Sequence, residues 1–181
     1  VALGNSGATP ASGLTAPLVV FKSYGELANA APDSVRGKIV YVGNAMDPTQ
    51  DGSSYGAYGP ARFVGPALAA KMGAAAIVIK SIGTDPHRNP HTGGTNFPAG
   101  TAPIPAAALS VSDGDQIERI AARGKPITLK LTLTPRFAGT GTSGNVIAEV
   151  PGSDPEAGVV LVGGHLDSWD LGTGAIDDAS G

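Results

Sequence analysis

The stretch Ala61–Lys80, ARFVGPALAAKMGAAAIVIK, decides the fold class. Phe63, Ala67, Leu68 and Met72 recur near helical spacing. Pro66 falls within the first turn of that helix, where a missing N–H costs little. Gly73 is suited to end it, because the residue past a helix terminus often needs a left-handed backbone. Residues 74–80 then form a continuous apolar run of the kind a central strand presents. Upstream, residues 18–21 (LVVF) and 38–42 (KIVYV) read as short buried strands, separated by the turn formers Ala31-Pro32-Asp33-Ser34 and Arg36-Gly37. Strand, helix, strand in this order is an α/β unit.

Outward from this unit, residues 44–60 are loop by composition, and Ser81–Thr101 is a long polar loop rich in Gly, Pro and Asn. A loop of that length in a compact domain is usually functional or mobile. Ile104–Leu109 reads as another strand. Ser112 is the expected N-cap of a helix over Asp113–Arg123, with Asp113 and Asp115 early, Arg119 and Arg123 late, and Gly124 as its stop. Residues 127–134 alternate apolar and polar side chains, as a half-exposed strand does. The glycine-rich segment AGTGTSGN marks a joint, which divides the chain into expected domains 1–137 and 138–181. Beyond it, 145–150 (NVIAEV) and 158–164 (GVVLVGG) read as strands joined by the turn PGSDPEA. The second is apolar on both faces, as in a covered sheet.

Composition narrows the function. Hydrophobic residues make up 41% and charged residues 15%, which is enough apolar side chain for a real core. The net charge is −3 with no Lys/Arg cluster, so a nucleic-acid partner has no electrostatic basis. With no cysteine, thiol catalysis, disulfides and Cys-based zinc sites are excluded. No apolar run approaches the ~20 residues a membrane helix requires. Val1 opens the chain without an initiator Met or a basic leader, which reads as an excised segment.

The chemistry-bearing motif is GGHLDSWDLGTGAIDDASG at 163–181. His165 leaves a buried apolar run, and Asp167 two residues on points to the same side of an extended chain. The carboxylate of Asp167 can then orient one ring nitrogen of His165 while the other faces a metal, fixing the tautomer and raising ligand basicity. Asp177 returns after a glycine-rich loop, and its two oxygens can bridge cations ~3.5–4 Å apart. The position beyond a strand's carboxyl end suits a ligand site in an open α/β sheet. The plainer alternative is a surface loop with a solvated His and a capping Asp pair.

These residues resemble the first metal motif of the co-catalytic dizinc exopeptidases. The resemblance implies that His165 binds one zinc, that Asp177 bridges two, that Asp167 is the supporting catalytic carboxylate, and that the Asp177–Asp178 peptide is cis. VRGKIVYVGN, PALAAKMGAAAIVIKS and PIPAAALSVSDGDQI resemble the successive signatures of a protease-associated domain. The fold implied is a protease-associated lid domain, a small mixed sheet with flanking helices, followed by the first strands of an α/β zinc-peptidase domain. The implied function is hydrolysis of short peptides by a zinc-activated water in a secreted or periplasmic enzyme, which as a whole could form a homodimer. The family's remaining ligands and general-base Glu are expected beyond Gly181, so the chain alone is expected to be inactive. The alternative function is a non-catalytic protease-associated module that binds peptides or another protein.

Other signals carry less. Gly139-Thr140-Gly141-Thr142-Ser143-Gly144 matches a dinucleotide-binding pattern, but a strand-like run follows where a helix is needed, so it reads as linker. His87 and His91 stand four apart, yet Asn89, Pro90 and the nearby glycines argue for loop, with substrate contact as the sharper alternative. Trp169 and Asp170 lie inside the metal loop, as packing and turn cap or as shapers of the site. Tyr55, Tyr58 and Phe63 are expected to bury their rings.

Overall fold

The computed structural model describes all residues except 49, 50, 155, 169–171, 180 and 181. The chain divides into two compact units, Val1–Arg136 and Phe137–Gly181.

The first unit is α/β. Its five strands are β1 (Leu14–Phe21), β2 (Ile39–Val42), β3 (Ala76–Lys80), β4 (Ala106–Leu109) and β5 (Thr128–Leu131), in the spatial order β4-β3-β2-β1-β5. Strands β1 to β4 are parallel to their neighbours, and β5 closes the far edge antiparallel to β1. Helices α1 (Tyr24–Ala28) and α2 (Pro32–Val35) connect β1 to β2. Three more, α3 (Tyr55–Tyr58), α4 (Pro60–Phe63) and α5 (Gly65–Lys71), connect β2 to β3, and α6 (Val111–Ala121) connects β4 to β5.

Alternation along the strands makes two cores. Val40, Val42, Ile77 and Ile79 face Leu27, Val35, Ala61, Ala69 and Met72 from the helices. Ile39, Tyr41, Ala76 and Val78 face the other way, with Ile117 of α6 and Leu129 and Leu131 of β5. The β4 edge is covered by the chain's own first residues: Leu3 N–H donates to Ala106, and Gly7 N–H donates to Ile104.

Several elements differ from the sequence reading. The run 61–73 forms two helices, because Val64, with φ of −125°, separates α4 from α5. Pro66 does sit at the start of α5, and Gly73 follows the helix with φ +79°. The stretch 44–60 is not all loop, since it contains α3. Ser110, not Ser112, caps α6: its Oγ accepts from the N–H of Asp113 at 3.1 Å and donates to the Asp113 carboxylate at 2.7 Å. Ser112 lies two residues past the cap, inside the helix, and its hydroxyl instead donates to the carbonyl of Pro86. Phe63 does not bury its ring; it is 43% exposed beside the break at Val64.

In the second unit the turn at PGSDPEA is present, with Glu156 N–H donating to the Asp154 carboxylate at 2.9 Å. The flanking runs 145–150 and 158–164 are not paired as strands among the described residues. The reason is solvation: Val146, Ile147, Val150 and Val159–Val162 are 83–95% exposed. A covered strand needs a hydrogen-bonded neighbour and apolar cover on its faces. No described residue supplies either.

Candidate metal centre

The site residues of the second unit converge without any regular secondary structure. A turn joins Gly174 to Ala179, closed by Ala179 N–H donating to Gly174 O at 2.9 Å. Gly174 has φ +70°, and a side chain there would collide with the Cβ of Ser168 at 2.7 Å, so glycine is required on both counts. The turn returns Asp177 to His165. Nε2 of His165 lies 2.9 Å from Oδ1 of Asp177. The peptide between Asp177 and Asp178 is cis.

Nδ1 of His165 lies 2.7 Å from the backbone carbonyl of Asp167, while the Asp167 carboxylate stands farther off at 3.4 Å. The carbonyl thus does the orienting that the sequence reading gave to the carboxylate. Either acceptor can hold the proton on Nδ1 and leaves Nε2 as the nitrogen turned to Asp177. Asp178, which the sequence reading left without a role, accepts the backbone N–H of His165 at 3.0 Å. The signal that could have found it is the doubled Asp, since the second carboxylate follows its partner back to the same histidine.

Both ring nitrogens therefore face acceptors. The Asp167 carbonyl first, and then the Asp177 carboxylate, hold the His165 imidazole above its ordinary pKa. A proton at Nε2 occupies the place a cation would take. Two ligand atoms on one tetrahedral zinc stand about 3.4 Å apart. The observed 2.9 Å needs to open by only a few tenths of an ångström, so the pair fits a metal as part of its ligand set. Among the described residues no group of three or more His, Cys, Asp or Glu could hold an ion. A shallow depression lined by His165, Asp167, Ser168 and Asp177 opens over the pair. Trp169 and Asp170 lie outside the described residues.

The remaining candidates fall elsewhere. His87 is exposed beside Asp85, at 3.5 Å, on a segment with no helix. His91 is turned the other way, against Tyr55 and Arg62, so the two histidines do not form a pair of ligands. No helix follows the glycines at 139–144, as the linker reading expects. Among the described residues no helix is long and apolar enough to cross a membrane.

Comparison with known proteins agrees with this motif. Residues 145–181 match the model of peptidase family M28. Carboxypeptidase Q of Bos taurus is 39% identical over 179 residues, which is 99% of this chain and 36% of the relative. Leucine aminopeptidase 2 of Arthroderma otae is 30% identical over 172 residues, 95% of this chain and 30% of the relative. The crystal structure of a peptidase M28 precursor from Shewanella amazonensis SB2B superposes with a TM-score of 0.93 at 45% identity, covering 100% of this chain and 41% of that one. This chain thus spans about a third of the length of the curated relatives it matches. The His165 and Asp177 motif lies inside the segment that matches peptidase family M28, and the chain as a whole is similar to peptidases over 95–100% of its length.

Proposed function

We propose that the chain is part of a zinc-dependent exopeptidase that hydrolyses short peptides. In this reading residues 1–137 are a protease-associated domain and residues 138–181 begin the catalytic domain. His165 and Asp177 are metal ligands, with Asp177 shared between two ions. The observation that carries the reading is the approach of His165 Nε2 to Asp177 Oδ1 at 2.9 Å, with the opposite ring nitrogen held by the Asp167 carbonyl.

Zinc bound here would supply Lewis acidity, lowering the pKa of water and polarising a peptide carbonyl. The chain's own residues do the rest of what can be derived. The Asp167 carbonyl keeps the proton on Nδ1, so Nε2 presents a lone pair. Asp178 fixes the backbone of His165 and with it the direction of the ring. Asp177 supplies the negative charge that offsets a cation. The general base and further ligands are proposed to belong to the longer protein, and the chain alone is proposed to be inactive. Export to a secreted or periplasmic compartment, short peptides as substrate and a homodimer of the whole enzyme belong to the same reading.

The test is zinc titration of the chain, followed by calorimetry and by the His165 ring proton signals. Zinc should shift those signals saturably. His165→Ala and Asp177→Asn should each weaken binding at least tenfold, while His87→Ala should leave it unchanged. Binding that survives both substitutions would place the metal elsewhere and sink the reading.

A further inference from the structure

We propose that the first unit carries a binding site for a carboxylate at the free edge of the Arg62 guanidinium. The inference is independent of the zinc reading and rests on residues of the first unit alone.

Arg62 lies on α4 and is only 7% exposed. Burying a guanidinium without a counter-charge is unfavourable, so buried arginines are normally paired. Arg62 forms no ion pair among the described residues. Its bonds are all made by one nitrogen. Nη1 donates to the Thr92 carbonyl at 2.7 Å and faces Nε2 of His91 at 3.1 Å. An arginine N–H can only donate, so His91 Nε2 accepts and this histidine offers no negative charge.

The other edge of the guanidinium is left over. Nε is buried and has no hydrogen-bond partner among the described residues. Nη2 forms no hydrogen bond to a described residue, and Arg62 as a whole keeps 7% of its surface exposed. Nε and Nη2 form the side-on fork that receives a carboxylate through two parallel hydrogen bonds. One prong is desolvated and unpaired, so a carboxylate that reaches the fork would fill a donor the described residues leave open.

The surroundings hold the fork in place. The Phe63 ring lies 4.6 Å from the guanidinium carbon and the Tyr55 ring 5.7 Å from it, both within cation–π range. Gly93 packs against the group: a Cβ there would stand 2.8 Å from both Cζ and Nε, and its φ of +148° also disfavours a side chain. The loop bearing Gly93 is clamped rather than loose. Ser81 Oγ accepts the His91 N–H at 2.8 Å, and Phe63 O accepts the Asn96 N–H at 3.0 Å. The Tyr55 hydroxyl contacts His91 Nε2 at 2.8 Å, tying α3 to the same loop. A planar cation is thus held between rings and backbone, with a bidentate edge unfilled. The half-exposed Phe63 at the rim adds an apolar contact for whatever carries the carboxylate.

The test is a titration of the intact chain with sodium acetate at constant ionic strength, reading the Arg62 Nε–H resonance by NMR. The signal is assigned by its loss in Arg62→Lys, which keeps the charge but not the fork. Acetate should move it downfield to saturation, and neutral acetamide should not. Two further arms separate the sources of carboxylate: an N-acetylated dipeptide acid and its C-terminal amide. Binding of the acid tenfold tighter than acetate, with none by the amide, assigns the site to a peptide end. Equal affinity for acetate and the peptide acid assigns it to small free carboxylates. No saturable shift with either would overturn the proposal. The wild-type titration alone decides this, so the result does not depend on a variant folding. Gly93→Ala, which crowds the fork, should weaken acetate binding at least tenfold if the chain stays folded.

Discussion

The two units use similar apolar runs and meet opposite fates. IVYV of β2 and AIVI of β3 are fully buried, whereas Val159, Val160, Leu161 and Val162 are 86–93% exposed. All three runs are rich in β-branched or aliphatic residues with high strand preference. What differs is supply of neighbours. Strand β2 has β1 and β3 beside it and an apolar layer on each face. The run at 159–162 has no described partner or cover. Strand preference is therefore permission to pair, and burial is what converts it into structure.

The largest expected effect that probes this difference is a paired truncation. Ile77→Ala should cost about 2–5 kcal/mol in urea unfolding, because it empties a packed site. Val160→Ala should change stability by less than about 0.5 kcal/mol, as an exposed substitution does. Comparable losses at both positions would break the comparison.

A second prediction concerns pH in the first unit. The Tyr41 hydroxyl donates to Glu118 at 2.8 Å in the layer between the sheet and α6. Burial, and then the Glu118 carboxylate, hold its pKa well above the ordinary value. A folded pKa raised above the unfolded one gives stability that is full below the unfolded value of ~10 and lost as pH rises past it. The loss should approach about 1.4 kcal/mol per pH unit above that value. Tyr41→Phe should remove this part of the alkaline slope, which urea midpoints measured between neutral and strongly alkaline pH would reveal. An unchanged slope would show that Tyr41 ionises as freely in the folded state as in the unfolded one.

The smallest effect is at a helix end. Ser110→Ala removes both hydrogen bonds to Asp113 and should cost about 1 kcal/mol, while Ser112→Ala should cost less than half of that. Reversal of that order would restore the cap to the position the sequence first suggests.

The sequence by itself determined the α/β character, because the run from Ala61 to Lys80 carries a helical period followed by an apolar strand. It also singled out His165 and Asp177, whose side chains the structure brings to 2.9 Å, since their spacing is local and can be read in one dimension. Local pattern did not settle the choice between Ser110 and Ser112, which depends on where the first helical turn closes. Nor did it settle which oxygen of Asp167 orients the histidine, as backbone carbonyl and carboxylate belong to the same residue. Arg62 was not legible at all. Its partners His91 and Thr92 lie 29 and 30 residues away, and nothing in a lone arginine beside a phenylalanine reports that the charge is buried. Only tertiary structure decides such cases, because desolvation and the count of unfilled hydrogen bonds depend on residues brought together from distant parts of the chain.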